Sequence, residues 1–233
     1  MATEYNFNIE LRPDYSLLRV KLREGQKIFA EPSAMATMDT GIKLKAGFKG
    51  GVMSTLKRGL GGESLIINTF TAEQAGEVTF APGPMGDLNH HGVNGTNLLL
   101  QSGAFVAHGE GLEVTGKFDG IKGFFSGQGI FLLQASGTGD LFFNTYGAMI
   151  EIDVNDGFIV DTGYVVAFES TLNYQITTVP GLSIGSKVKT FLFGGEGLVC
   201  KFSGQGKVWI QTRTINPFLR WVHPYRRVQK NSH

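Results

Sequence analysis

Residues Ile28–Phe48 read IFAEPSAMATMDTGIKLKAGF, and Leu98–Phe118, LLLQSGAFVAHGEGLEVTGKF, lies on them without a gap. Phe158–Ile176, FIVDTGYVVAFESTLNYQI, matches both. A second unit follows each copy: GGESLIINTFTAEQAGEVTF from Gly61, GQGIFLLQASGTGDLFF from Gly127 and GEGLVCKFSGQGKVWI from Gly195. The offsets are 70 and 60 residues for the first unit and 66 and 68 for the second. An internal period of this size marks a duplicated structural unit.

Within the repeat the periodicity is that of strands. Ile42-Lys-Leu-Lys45 and Lys207-Val-Trp-Ile-Gln-Thr-Arg213 alternate apolar and polar residues, and Val165–Phe168 is a short apolar run. Alternation puts one face of a strand in a core. Short strands separated by Gly, Asn and Asp clusters at about 8–12 residue spacing point to a sandwich or barrel. Turns are expected at Asp39-Thr-Gly41, Gly109-Glu-Gly111, Gly137-Thr-Gly139 and Asn155-Asp-Gly157, where Gly supplies positive φ. Each repeat therefore reads as a hairpin, a Gly-rich connector and a second hairpin, about twelve strands in all. The expected fold is all-β: three internal repeats of antiparallel hairpins with pseudo-three-fold symmetry around a shared core, double-stranded β-helix or sandwich-like, with at most short helical segments. The expected organisation is one domain over residues 1–216, with repeats at about 15–81, 86–147 and 148–213, and a tail at 217–233.

Composition narrows the class. With 233 residues, 42% hydrophobic and 18% charged, the chain can bury a large core. The 33 glycines are scattered between apolar runs and follow no collagen-like period. A net charge of +1 argues against a strong electrostatic grip on nucleic acid or anionic membrane by the whole molecule. The single cysteine, Cys200, sits in the apolar run Leu198-Val-Cys200 and reads as a small buried hydrophobe. Met1–Tyr5 shows neither the basic nor the apolar region of a secretory signal, and no apolar run approaches the ~20 residues of a membrane span. A cytoplasmic protein is expected.

Two segments break the β pattern. In Gly47–Gly62, Val52, Met53, Leu56 and Leu60 recur at helical spacing with Lys57 and Arg58 on the other side. The segment fits a loop capping a barrel end or a partner-binding or membrane-touching loop, and its six residues are the candidate partner surface. The tail carries Arg220, Arg226, Arg227 and Lys230 without an acid, together with Phe218, Trp221 and Tyr225. Pro217 and Pro224 argue against a continuous helix. Trp221, Tyr225, Arg226 and Arg227 are candidates for nucleic-acid or lipid contact. The competing reading packs the aromatics on the body or on a neighbouring subunit.

Catalytic and metal chemistry finds little footing. His108-x-Glu110 is the nearest approach to a barrel metal motif, but Glu110 falls in a turn, and His108 aligns with the apolar Met38 and Phe168. A structural histidine at the core is expected there. His90-His91 are adjacent in a Pro/Gly/Asn loop, and two neighbours make no ligand pair by themselves. Gly181–Lys187 lacks the P-loop's Gly-Lys-Ser/Thr run. Asp153–Gly157 lacks the spacing of a calcium loop. No G-x-S-x-G elbow is present. No catalytic, cofactor or metal residues are assigned, and no reaction is expected.

Several motifs nevertheless recur together: Gly50-Gly51, Leu56-Lys-Arg58, Leu60-Gly-Gly-Glu-Ser64, Gly103-Ala-Phe-Val-Ala107, Gly127-Gln-Gly129, Ser136-Gly-Thr-Gly139, Val160-Asp-Thr-Gly163, Gly195-Glu-Gly-Leu198 and Trp209-Ile-Gln-Thr-Arg213. Over roughly residues 15–216 the chain resembles bacterial members of the Altered Inheritance of Mitochondria 24 family of mitochondrial biogenesis proteins. The resemblance implies three β repeats, each similar to the subunit of the ring-forming tryptophan RNA-binding attenuation protein, and homo-oligomers, a trimer favoured. It implies no reaction, ligand or cofactor. The function expected is that of a non-enzymatic oligomeric β scaffold or protein-interaction module. The alternatives are a module for a small ligand or single-stranded RNA, with Trp209, Arg213, Trp221, Tyr225, Arg226 and Arg227 as its groove residues, and a metal-dependent barrel enzyme built around His108.

Overall fold

The computed structural model describes residues 4–48, 66–116, 132–179 and 198–226. The candidate loop residues Val52, Met53, Leu56, Lys57, Arg58 and Leu60 lie outside these, as does Arg227. Among the described residues there are eighteen strands, against the twelve expected, and one α-helix. Strand β1 (Asn6–Glu10) precedes the repeats. Repeat one holds β2 (Leu17–Leu22), β3 (Lys27–Ala30), β4 (Met35–Met38), β5 (Ile42–Phe48), β6 (Ile66–Ala72) and β7 (Gly76–Phe80). Repeat two holds β8 (Leu88–Asn94), β9 (Leu98–Gln101), β10 (Phe105–His108), β11 (Leu112–Gly116) and the long β12 (Leu132–Asn144). Repeat three holds β13 (Met149–Val154), β14 (Phe158–Asp161), β15 (Val165–Glu169), β16 (Asn173–Thr178), β17 (Leu198–Ser203) and β18 (Gly206–Gln211). Helix α1 (Ile215–Val222) ends the described chain with a single 3-10 turn, His223–Tyr225.

All strand pairs are antiparallel, and one scheme recurs. In repeat one, β7 pairs with β2 and β4, while β6 pairs with β3 and β5. In repeat three, β18 pairs with β13 and β15, while β17 pairs with β14 and β16. In repeat two both roles fall to β12, whose second half pairs with β8 and β10 and whose first half pairs with β9 and β11. Within each repeat the first four strands thus alternate between two sets of partners and do not pair with each other.

The four turns expected to close tight hairpins have a different job. Asp39–Gly41, Gly109–Gly111 and Asn155–Gly157 are corners between sheets, and Gly137-Thr-Gly139 lies inside β12. At that kink a Cβ on Gly111 would collide with the Thr138 carbonyl, and Gly137 adopts a φ of +108°. Only glycine tolerates that combination of close approach and positive φ.

A bulge is shared by all three repeats. The register slips between Met35 and Thr37 on β4, between Phe105 and Ala107 on β10, and between Val165 and Ala167 on β15. These positions are related by the offsets 70 and 60 of the sequence repeat. The repeats join edge to edge, β10 with β3 and β15 with β9. This fuses most strands into an eleven-stranded sheet, flanked by β1-β2-β7-β4 and β14-β17-β16.

Alternation explains the burial. Leu18, Val20 and Leu22 point into the core from β2 while Lys21 faces out. In place of one shared core, the buried side chains form three clusters that mix neighbouring repeats. Val106, Ala107 and Phe142 of repeat two pack with Leu18, Phe70 and Phe80 of repeat one. Ile67, Val166, Ala167 and Trp209 join the repeat-two cluster around Leu141 and Phe143. Leu99 and Leu132 pack with Phe168, Cys200 and Phe202 of repeat three.

Candidate functional site

The tail forms a helix despite its prolines. Thr214 takes an extended conformation before Ile215, and Pro217 falls in the first turn, where backbone N–H groups have no intrahelical acceptor. Pro224 falls in the 3-10 turn after the His223 N–H has closed on the Leu219 carbonyl. The helix is tethered through its lead-in. Arg213 N–H donates to the Tyr146 carbonyl at 3.2 Å, and Thr212 N–H to the Ala148 carbonyl at 3.1 Å. The Thr212 hydroxyl oxygen accepts from Ala148 N–H at 2.9 Å. Gly147 makes room for this contact: it sits at φ +75°, and its Cβ position lies 2.5 Å from the Thr212 hydroxyl oxygen.

Beyond the tether the helix leaves its apolar side chains in water. None of its residues is buried. Trp221 is 67% exposed, Tyr225 76% and Leu219 55%. The rings form a stepped series, Tyr146 to Phe218 at 6.1 Å, Phe218 to Trp221 at 6.1 Å and Trp221 to Tyr225 at 6.0 Å between centroids. Tyr146, Tyr164, Arg213, Pro217, Phe218 and Trp221 line a groove of about 390 Å³. A ring series beside a basic side chain offers stacking and cation–π contacts to a partner side chain or a base. Of the tail candidates, Trp221, Tyr225 and Arg226 are all exposed at this end. Trp209, which the sequence grouped with them, is 1% exposed. Its indole N–H donates to Glu151 at 2.9 Å and its ring packs edge-on against Phe143 and His91. β18 is buried on both faces at its centre, Val208 in one cluster and Trp209 in another, so Trp209 is no part of the groove.

The histidines fall into structural settings. His108 is wholly buried and stacks on Phe29 at 4.9 Å, its Nδ1 2.7 Å from the Gly109 carbonyl. His90 and His91 lie on strand β8 and not in a loop, so they point to opposite sides. Among the described residues no group of three His, Cys, Asp or Glu side chains is placed to hold a metal ion. Cys200 is buried, and desolvation pushes its thiol up to about 12.

A polar seam near the N-terminus had no signal in the sequence, because its bonded members are 22 to 136 residues apart. The buried Asp140 carboxylate accepts from Glu4 N–H at 2.8 Å and Tyr5 N–H at 3.2 Å, and lies 2.6 Å from His90 Nε2. The Tyr5 hydroxyl donates to the Lys27 carbonyl and accepts from Glu110 N–H. Burial, then the charges of Asp140 and Glu110, raises Glu4 above the usual carboxylate range, and burial raises Tyr5. With these partners in place, Asp140 fastens the N-terminal segment to repeat two.

The chain matches the family described as Mitochondrial biogenesis AIM24 over residues 7–213. It belongs to that family. It is 25% identical to an uncharacterized protein of Streptococcus pyogenes serotype M6, a match covering 97% of this chain and 92% of that one. The crystal structure of the Streptococcus pyogenes protein SPYM3_0169 superposes with a TM-score of 0.78 at 23% identity, covering 96% of this chain and 100% of that one. The AIM24 likeness brings fold and family; it carries no reaction. Among the described residues no helix is long and apolar enough to cross a membrane.

Proposed function

We propose that this AIM24-family chain is a non-enzymatic, oligomeric β scaffold of the cytoplasm that presents its C-terminal helix to a protein partner. The observation that carries the reading is the stepped aromatic series Phe218–Trp221–Tyr225, held by backbone tethers yet exposed to water. A contiguous exposed apolar patch on a folded body is the usual mark of an interaction surface. Aromatic residues dominate such contacts because they bury much area with little loss of freedom. The resemblance of each repeat to a ring-forming subunit supports the oligomeric part, with a trimer favoured.

Light scattering on a sizing column, at several concentrations and two salt levels, tests the assembly. A stable mass that is a multiple of 25.3 kDa supports it. A 25.3 kDa species at every concentration removes it. The second reading, a small ligand or single-stranded RNA in the groove, is favoured by Arg213 lying beside Tyr146, Phe218 and Trp221. Titration with a single-stranded oligonucleotide, followed by Trp221 fluorescence, decides between them. Saturable quenching that weakens with salt supports the nucleic-acid reading, and a flat trace leaves the protein-partner reading.

A further inference from the structure

Two junctions inside the chain show how one repeat receives the next. β10 meets β3 with Ala107 opposite Ala30 and His108 opposite Phe29. β15 meets β9 with Ala167 opposite Leu100 and Phe168 opposite Leu99. By the repeat offsets of 70 and 60, these are the same register made twice. Each closes on a packed pair, the His108 and Phe29 rings stacked in one, Phe168 and Leu99 both buried in the other.

The third strand of each kind has no such neighbour among the described residues. β4, the equivalent of β10 and β15, is the outer strand of the four-stranded sheet. β14, the equivalent of β3 and β9, is the outer strand of the three-stranded sheet. At the positions that pack in the two internal junctions they carry Met38 and Ile159, large apolar side chains 40% and 45% exposed. Solitary edge strands are ordinarily blunted by Lys or Pro. β4 reads Met-Ala-Thr-Met and β14 reads Phe-Ile-Val-Asp, with neither.

We propose that β4 of one copy pairs antiparallel with β14 of the next, Thr37 opposite Val160 and Met38 opposite Ile159, repeating the internal junction across the subunit boundary. The occupant is a second copy of this chain because each chain carries both halves of the junction, and the two internal examples supply the register. Pairing satisfies the open backbone groups of both edges and covers both apolar side chains. The two patches differ, so the contact is head-to-tail and propagates until it closes into a ring or extends as a filament. The inference deepens the assembly half of the scaffold reading and rests on it.

Directed cross-linking tests it. Met38→Cys and Ile159→Cys chains carrying different tags are co-expressed, oxidised and run without reductant. The expected product is a disulfide heterodimer of the two variants, with each variant alone remaining uncross-linked. The wild-type chain is the control, since its one cysteine is buried. The doubly substituted chain should give a covalent ladder or one closed multimer. Met38→Asp should weaken self-association at least tenfold without moving the urea midpoint of the dilute protein. A cross-link of Met38→Cys with itself as strong as that of the pair overturns the proposal. So does an uncross-linked pair while light scattering shows an oligomer, and that result leaves the scaffold reading standing on another surface. An intrachain bridge in the double variant with no multimer also overturns it. A monomeric wild type at every concentration overturns the proposal and the assembly half together.

Discussion

Strands β4 and β10 occupy the same place in repeats one and two, carry the same bulge, and pair in the same way with the strand behind them. Their fates differ. β10 is buried along its whole length, whereas Ala36, Thr37 and Met38 of β4 are exposed. The backbone is set by the repeat, and the side chains answer to the neighbour: Phe-Val-Ala-His where β3 covers the edge, Met-Ala-Thr-Met where the described residues supply no cover. Local conformation and burial are thus separate properties of a repeat protein, and substitution at matched positions pulls them apart.

The largest effect is expected at the position shared by Met38, His108 and Phe168. Phe168→Ala removes a wholly buried ring that packs edge-on against Phe202 and Tyr174 and should cost about 3–5 kcal/mol. Met38→Ala on the dilute protein should stay within about 0.5 kcal/mol, as for an exposed site. Urea midpoints of the two variants make the comparison. Equal losses would show that β4 is buried in solution and would end the contrast.

A smaller effect separates the repeats at their long strand. β12 runs unbroken through Gly137 and Gly139, while the matching stretch of repeat three is interrupted between β17 and β18 near Gly204. Both Gly137 and Gly204 have positive φ, but an alanine Cβ at 137 would also press on the Gly111 carbonyl, whereas at 204 the nearest atom is 3.5 Å away. Gly137→Ala should therefore cost about 2–3 kcal/mol and Gly204→Ala about 1 kcal/mol, read as shifts of the denaturant midpoint. Comparable losses would mean that the close approach across β12 contributes nothing beyond backbone strain.

These pairs also show what the sequence could reveal. The repeat marked the strand-forming segments, which depend on side chains within a few residues, but it gave about twelve strands for the eighteen described and no sign of the shared bulge. The hairpins were misread for a physical reason. Gly and Asp at 39–41, 109–111 and 155–157 relieve a sharp change of direction whether the next strand pairs beside the last or crosses to the facing sheet. Which one happens is decided by β7, β12 and β18, which begin 21 to 49 residues further along the chain. Helix α1 was obscured because Pro217 reads as a breaker unless the first turn is known. Trp209 was grouped with the tail by composition, whereas the pairing of β18 with β13 and β15 covers it on the interior of the sheet. The Asp140 seam joins groups too distant in sequence to leave a pattern. The loop candidates at 52–60 lie outside the described residues.

The smallest effect is a titration of the repeat-two interior. His91 projects from β8 against Trp209, with its ring edge-on at a centroid distance of 5.1 Å. Burial holds its pKa below the ordinary value of 6.5; Glu169 and Glu151 pull it upward, and His90 and Lys207 push it further down. A base with a depressed folded pKa stays neutral in the native state while the unfolded chain takes up a proton at about pH 6.5. Stability is therefore full above pH 6.5 and falls as the pH drops from there toward the folded value, below which this contribution is constant. Urea midpoints at pH 7.5, 6.5 and 5.5 should decline for the wild type and decline less for His91→Gln. Parallel declines would assign the acid sensitivity to groups other than His91.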